Sequence, residues 1–263
     1  MDFSQLSKYK LWFVDYVKHF YGSDNLVNTN IRLKEDHSFR VCQEMNYITE
    51  NLNLTPNQKL IAETIALFHD FGRFEQFRKF RTYNDTKSIN HCCLGVEVLA
   101  ETKIISDLSQ NEQDATIAAI RYHGQKELPG DLNGENLLFC QLIRDADKLD
   151  IFHLLMDYYK KYAENPAGFD IEMEFPPDGP CSKEVIDAIL QQQKVEYRLL
   201  KSWNDMKLCQ LSWVYDINFA PTMQKIKNEK YLERVLDFLP DSEDILLVRK
   251  KVIDFVESKL SNE

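Results

Sequence analysis

The sequence predicts an all-α fold for this chain of 263 residues. Apolar residues recur every three or four positions along nearly the whole chain, which is the spacing that lines one face of a helix. All eight prolines fall where such helices would begin, end or be joined, as expected because proline disrupts helix interiors. The pattern therefore favours a bundle of helices.

Reading the periodicity in order predicts nine helices, at 3–21, 31–53, 57–71, 88–103, 111–123, 135–163, 182–212, 221–238 and 242–260. The clearest interruption is 164–181, which contains four prolines and two glycines. Within it Phe169, Ile171, Met173 and Phe175 alternate with other residues, as in one short strand. We interpret this segment as a connector, with a lid over a site as the alternative. Residues 1–263 are predicted to form a single domain in which 182–263 is a helical C-terminal extension.

Composition limits the classes of partner. The net charge of −10 argues against binding duplex nucleic acid, which needs an extended basic surface, and leaves a small phosphorylated molecule compatible. The chain start lacks a leader pattern, and no stretch approaches the ~18 apolar residues of a membrane span. We expect a cytoplasmic protein with no membrane partner, and the oligomeric state stays open. The six cysteines include no Cys-x-x-Cys and are interpreted as reduced core residues.

Four of the six histidines lie on apolar helix faces. The apolar neighbours are Val41, Met45, Ile48 and Leu52 for His37, Ile61 and Ile65 for His69, Leu94, Val98 and Leu99 for His91, and Thr116, Ala119 and Ile120 for His123. Buried polar groups without partners cost roughly 1–3 kcal/mol each. A single such histidine is typically bonded to a carbonyl or carboxylate, but four of them favour a buried metal site.

Asp70 strengthens this interpretation. We predict that Gly72 stops its helix, which places the carboxylate at the negative end of a helix dipole, an arrangement disfavoured by ~0.3–1 kcal/mol. Arg73 could compensate at the surface, but a divalent cation held by His69, Asp70 and the other imidazoles would do so better. A further carboxylate ligand is expected from the run 144–150. There Asp147 and Asp150 share a face, while Asp145 lies about 200° from Asp147. Periodicity does not choose between Asp145 and Asp147.

These residues resemble the HD superfamily of metal-dependent phosphohydrolases, whose pattern is a His on one helix, an adjacent His-Asp pair and a distal Asp. Here the positions read His37, His69-Asp70 and Asp147, the last within Ala146-Asp147-Lys148-Leu149-Asp150. The resemblance covers about 30–155, implies the HD helical fold there, and selects Asp147 over Asp145. His91 and His123 stand where two-metal members carry two further histidines. It implies one metal held by His37, His69, Asp70 and Asp147, and a second held by Asp70, His91 and His123, with Asp70 bridging.

Departures from the family narrow the substrate. The branch that cleaves cyclic di-GMP carries paired histidines and a Gly-Tyr-Pro element, whereas this chain has one histidine in Arg121-Tyr122-His123-Gly124 and no Gly-Tyr-Pro. Many members have a lysine after the pair. Here Arg73 keeps the charge and adds a planar fork suited to phosphate oxygens.

The segment after the pair is basic and is predicted to be a loop. Its cations could collect an anionic substrate, and the alternative is a solvated surface whose phenylalanines dock on the core. The candidate substrate-binding residues are Arg73, Arg78, Arg81 and Lys87. Lys148, beside Asp147, points to substrate or to solvent, and we predict Asp70, Arg73 and Lys148 as the catalytic residues.

The predicted function is hydrolysis of a small phosphate ester, foremost a nucleotide, by a hydroxide that one or two divalent metal ions activate. The absence of a Gly-x-Ser-x-Gly elbow and of a Gly-rich phosphate loop fits this chemistry. Mn, Fe, Ni, Mg and Zn stay open. One alternative is an HD-type di-iron oxygenase acting on an organophosphonate or polyol, although 22–36 lacks the tyrosine that such enzymes often carry before the first ligand. The other is a non-catalytic metal-binding helical module, disfavoured because structural sites prefer Cys-rich tetrahedra.

Overall fold

A computed structural model of the protein describes the structure of residues 1–166, 175–177 and 179–261. The all-α prediction is confirmed, because the described residues form helices and turns and no strand. The helices are α1 (Phe3–Lys18), α2 (Asn25–Glu50), α3 (Pro56–Phe68), α4 (Phe71–Phe80), α5 (His91–Thr102), α6 (Gln110–Tyr122), α7 (Gly134–Glu164), α8 (Lys183–Leu190), α9 (Trp203–Ser212), α10 (Ala220–Asn228), α11 (Tyr231–Leu236) and α12 (Glu243–Ser261).

Contacts divide the chain into two compact units, Met1–Asp147 and Lys148–Glu263. The single-domain description stays a prediction. Residues 169–174 of the strand predicted over 169–175 lie outside the described residues. The ring centroids of Phe175 and Tyr197 are 5.6 Å apart. Among the described residues, no helix combines the length and the apolar character needed to span a membrane.

In the first unit, several helices begin at residues whose side chains satisfy the free backbone N–H groups. Reciprocal capping boxes pair Thr55 with Gln58 at α3 and Ser109 with Glu112 at α6. The carboxylate of Asp24 accepts hydrogen bonds from two backbone N–H groups, which starts α2 at Asn25 and not at residue 31 as predicted. Apolar periodicity did not predict residues 25–30 as helical, because the N-cap residue Asp24, and not an apolar stripe, defines where this helix begins.

The segment after the His-Asp pair is a helix and not the predicted loop. Phe71, Phe74 and Phe77 recur every third residue and are all buried, so α4 has an apolar face despite its many cations. Phe71 stacks on Phe13 of α1, with ring centroids 5.6 Å apart. This aromatic core fixes the position of α4, and with it the position of Asp70 at its start.

Gly72 lies inside α4 and does not stop a helix, which corrects a second expectation. A Cβ atom at this position would lie 2.0 Å from the carbonyl oxygen of His91 and 2.7 Å from the backbone nitrogen of Gly95, both in α5. The glycine therefore allows the backbones of α4 and α5 to approach closely. This contact holds the first turns of α5, whose first residue is His91, against α4.

The second unit is helical, but two of its predicted helices are each interrupted. The helix expected at 182–212 is replaced by α8 and α9, with Gln192 at a φ of 59° and a short 3₁₀ turn at Tyr197–Leu199 between them. The helix expected at 221–238 is interrupted at Lys230, which has a φ of 53°. A residue other than glycine in this left-handed conformation is not evident from the sequence. Apolar periodicity therefore predicted continuous helices across both interruptions.

Candidate metal centre

The six predicted metal ligands lie together in the first unit, although they are 110 positions apart in the sequence. They are His37 in α2, His69 at the end of α3, Asp70 at the start of α4, His91 in α5, His123 at the end of α6, and Asp147 in α7. The four histidines and Asp70 are buried, and the side chain of Asp147 is 22% exposed. Several helix ends thus converge on one point.

Asp70 occupies the junction between two helices and not the negative end of one. His69 is the C-cap of α3, and Asp70 is the N-cap of α4. The junction lets these adjacent residues face the same cluster, which two neighbours within a regular helix, about 100° apart, would not do. The carboxylate also lies near the positive end of the α4 dipole, which offsets the penalty expected from the negative end of α3.

One half of the cluster surrounds Oδ2 of Asp70. The Nε2 atoms of His37 and His69 are 3.2 Å apart and lie 3.5 and 3.7 Å from this oxygen. Asp147 Oδ1 lies 3.2 Å from His37 Nε2 and 3.8 Å from His69 Nε2. Asp147 therefore supplies the carboxylate that the resemblance implies. Asp145 is buried, and about 200° of helix rotation separates it from Asp147.

The other half surrounds Oδ1 of the same carboxylate. The Nε2 atoms of His91 and His123 are 3.2 Å apart and lie 3.5 and 3.7 Å from Asp70 Oδ1. The guanidinium of Arg144 donates a hydrogen bond to the carbonyl oxygen of His123 at 3.2 Å, which fixes the end of α6. Asp70 thus presents one oxygen to each histidine pair.

The donor set fits divalent metal ions. His91 Nδ1 lies 2.7 Å from a carboxylate oxygen of Asp85, and His123 Nδ1 lies 2.8 Å from the carbonyl oxygen of Ile120. Both acceptors require an N–H at Nδ1, so in the neutral rings both Nε2 atoms carry lone pairs. Two lone pairs facing each other at 3.2 Å repel unless a positive charge lies between them. Imidazole with carboxylate is the ligand mixture that suits transition ions.

The pKa values in the cluster show the same demand for positive charge. Burial lowers the pKa of His69 to about 4, which keeps its ring neutral and able to bind a metal ion. Burial raises the pKa of Asp70, but the positive charge of Lys34, the neighbouring imidazoles and the charge of Arg73 outweigh it and hold the pKa well below its usual value. Burial lowers the pKa of His123, but Cys92 and Asp70 outweigh it and raise the pKa well above its usual value.

Two cations flank the shared carboxylate. Lys34 Nζ lies 2.8 Å from Asp70 Oδ2, and Arg73 Nε lies 3.5 Å from Asp70 Oδ1. Both side chains are 16% exposed and also lie over the ring of Tyr83, at 5.5 and 5.9 Å from its centroid. Sequence reasoning found Arg73 but missed Lys34. The feature that could have indicated Lys34 is its position three residues before His37, which places both side chains on the same face of α2.

Asp85 connects the cluster to its surroundings and was also missed. One of its oxygens accepts a hydrogen bond from His91, while the other accepts from Arg73 at 3.0 Å and from Gln76 at 2.8 Å. Burial raises the pKa of Asp85, but these partners outweigh it and lower the pKa to about 2. An ionised Asp85 therefore holds His91 in one tautomer with Nε2 turned to the cluster.

Cys92 is a third group that sequence reasoning did not place in the site, having assigned all six cysteines to the core. Its buried Sγ lies 3.4 Å from His91 Nε2, and 3.6 and 4.0 Å from Nδ1 and Nε2 of His123. Together these three residues offer donor atoms that all lie within 4.8 Å of one another. The cysteine is adjacent to His91 in the sequence, but a neighbouring position on a helix gave no reason to expect the contact.

The other predicted substrate residues lie at the surface or pair with acids. Arg78 is 57% exposed and pairs with Glu75 at 2.6 Å, and Arg81 is 57% exposed and pairs with Asp24 at 3.6 Å. Lys87 is exposed at the end of a 3₁₀ turn. Lys148 belongs to the second unit, where its Nζ lies 2.9 Å from a carboxylate oxygen of Asp216. The substrate and catalytic roles of these residues stay predictions.

The family comparison agrees with this geometry. The HD domain family model matches residues 35–151, a segment that contains all six clustered ligands. The match confirms, for this segment, the resemblance to the HD superfamily of metal-dependent phosphohydrolases. Comparisons with curated proteins and with solved structures returned no match.

Proposed function

We propose that this protein is a cytoplasmic phosphohydrolase that uses divalent metal ions to hydrolyse a small phosphate ester, foremost a nucleotide. The observation that carries the proposal is the sharing of Asp70, whose two oxygens face two separate histidine pairs. A carboxylate in this position can neutralise two cations at once. A purely structural site has no need of such an arrangement, because closed structural sites are typically single tetrahedra rich in cysteine.

His37, His69, Asp70 and Asp147 would hold one ion, and Asp70, His91 and His123 the other. When bound, such ions lower the pKa of a coordinated water from ~15.7 toward neutrality and offset the charge that develops on a phosphoryl group. Mn, Fe, Ni, Mg and Zn are the candidates. The protein's own contribution is to fix the tautomers through Asp85 and Ile120, and to hold Asp70 ionised.

Lys34 and Arg73 are suited to binding the phosphoryl group of the substrate. Among the described residues, Arg73 Nε is a buried donor without a hydrogen-bond acceptor, although it lies 3.5 Å from Asp70. A phosphate oxygen beside Asp70 would supply that acceptor, and an unmade bond of this kind costs roughly 1–3 kcal/mol. Once cations balance Asp70, the ammonium of Lys34 can also turn to the substrate.

The surface cations of α4 would act earlier, by attracting the anionic substrate. Arg78 and Arg81 pair with acids in exposed ion pairs, which are worth only ~0–1 kcal/mol and are exchanged easily for a phosphate. Together with Lys87 they give this part of an acidic chain a local positive field. Lys148, which directly follows Asp147 in the sequence, would act as a further catalytic residue.

Metal analysis combined with a phosphate-release screen tests the function. The purified protein is assayed on nucleotides and on generic phosphomonoesters and diesters, with and without a chelator. We expect metal-dependent phosphate release that is lost in Asp70→Asn and His123→Asn. The matched controls are Asp114→Asn and His19→Asn, which change exposed side chains outside the cluster and should retain activity.

Two results would reject the proposal. Full activity of Asp70→Asn would show that the cluster does not catalyse the reaction. Two bound irons together with oxygen uptake on a phosphonate, and no phosphate release, would assign the protein to the oxygenase branch.

A further inference from the structure

Cys92 extends the second half of the cluster beyond the two histidines. Its Sγ and the Nε2 atoms of His91 and His123 form a triangle with edges of 3.2, 3.4 and 4.0 Å. The cysteine is 1% exposed, and its sulfur lies 3.4 Å from His91 Nε2 and 3.6 Å from His123 Nδ1, so the thiol contacts both imidazoles at hydrogen-bond distance. Packing alone does not require a sulfur here.

The three separations match those between ligands of one metal ion. With metal–sulfur bonds of ~2.3 Å and metal–nitrogen bonds of ~2.0–2.1 Å, tetrahedral angles place two nitrogens about 3.3 Å apart and a sulfur about 3.5 Å from each nitrogen. The observed edges lie within about 0.5 Å of these values. Asp70 Oδ1, at 3.5 and 3.7 Å from the two nitrogens, is the oxygen donor on the same half.

The surrounding backbone leaves room for the sulfur. A Cβ at Gly124 would lie 3.0 Å from Cys92 Sγ and 3.2 Å from His91 Cε1, so any larger residue would press on both groups. The side chain of Asn90 accepts a hydrogen bond from the backbone N–H of Cys93 at 3.0 Å, which fixes the first turn of α5 that carries His91 and Cys92.

We infer that Cys92 Sγ is a ligand of the metal position between His91 and His123. The inference rests on the proposed function, because it concerns the second ion of the same centre. On binding, the proton held between Cys92 and His123 is released to the solvent as the metal–sulfur bond forms. The two positions then differ in chemistry. A nitrogen and oxygen set surrounds Asp70 Oδ2, whereas the set on the other side includes a thiolate.

This difference selects the metal. Thiolate ligands favour zinc and other transition ions, whereas magnesium prefers oxygen ligands and keeps its waters. The second position is therefore a site for a borderline or soft ion such as Zn, Fe or Co. Magnesium is disfavoured there, even if the first position accepts it.

Cobalt(II) substitution provides the test, because sulfur bonded to cobalt gives a charge-transfer band in the near ultraviolet that nitrogen and oxygen ligands do not give. The full-length protein is stripped with a chelator and titrated with cobalt(II). We expect the band in the wild type and in Cys93→Ser, whose cysteine is the exposed neighbour in the same turn. We expect its loss in Cys92→Ser, with the visible ligand-field bands retained.

X-ray absorption of the zinc-loaded wild type gives a second measurement that needs no variant. A sulfur scatterer at ~2.3 Å is expected. The proton count gives a third, since metal loading should release one proton fewer in Cys92→Ser than in the wild type. Cobalt binding without a sulfur band or scatterer would overturn the role of Cys92 and leave the proposed function standing. Failure to bind any metal ion would overturn both.

Discussion

Replacing Gly72 with alanine should displace a metal ligand that is not itself changed. The new Cβ would lie 2.0 Å from the carbonyl oxygen of His91, while contacts below 3.0 Å are essentially absent for real Cβ atoms. The backbones of α4 and α5 must therefore separate by about 1 Å. The neighbouring atoms belong to the backbone of α5, so no side-chain rotation can relieve the contact.

The magnitude follows from this displacement. Overpacking a tight core typically costs ~1–3 kcal/mol, and in a protein of this size each kcal/mol lowers the melting temperature by about 2–4 °C. Gly72→Ala should therefore melt roughly 2–12 °C below the wild type. A misplacement of ~1 Å in a catalytic group can cost about 100-fold in rate. Because the shift separates His91 in α5 from Asp70 at the start of α4, we expect weaker metal binding on that side of the cluster.

Thermal unfolding with and without added metal ion, followed by a metal titration, measures both effects. The matched control is Gly130→Ala, because a Cβ at Gly130 has no neighbour within 4 Å. The control should resemble the wild type. If Gly72→Ala has the same melting temperature and metal affinity as Gly130→Ala, the close approach of α4 and α5 does not position His91.

Three further predictions follow from the same unit. Asp85→Asn should weaken metal binding about 10–100-fold in a competition titration, because it removes the charged partner of His91 Nδ1. Unchanged affinity would contradict the role of Asp85 in orienting His91. Chelation should lower the melting temperature, since a ligand at 100 times its Kd stabilises the fold by about 2.7 kcal/mol, and identical melting curves would show that the cluster holds no ion. Phe13→Ala should lower the free energy of unfolding by about 3–5 kcal/mol in a denaturant titration, because Phe13 is fully buried against Phe71. The control is Phe3→Ala, which should lower it little because Phe3 is 75% exposed. Equal losses in the two variants would refute the role of this aromatic core.

The sequence was sufficient to predict helices and to find residues that meet in space. Periodicity turned His37 and His123 inward because each lies among apolar neighbours, and both are buried. It could not choose between Asp145 and Asp147, since both faces of that helix carry apolar residues. The choice came from resemblance to a family, which encodes three-dimensional proximity that a single helix does not reveal.

Other features depend on contacts between helices and could not be predicted from local patterns. Lys34 bonds to Asp70 across 36 positions, and the sulfur of Cys92 meets His123 across 31. The helix boundary at Asp70 was missed for a related reason. The glycine at position 72 was interpreted as a helix stop, whereas its purpose is visible only when the backbone of α5 is beside it.

The position of Asp70 at the junction of two helices has a consequence for how the centre would fill. An ion that binds one oxygen withdraws electron density from the whole carboxylate, so the other oxygen is a weaker donor to the second ion. Occupancy should therefore be stepwise, with unequal successive constants and with the order set by the partners on each side. The side chain of Asp70 would thus couple metal binding in one half of the centre to metal binding in the other.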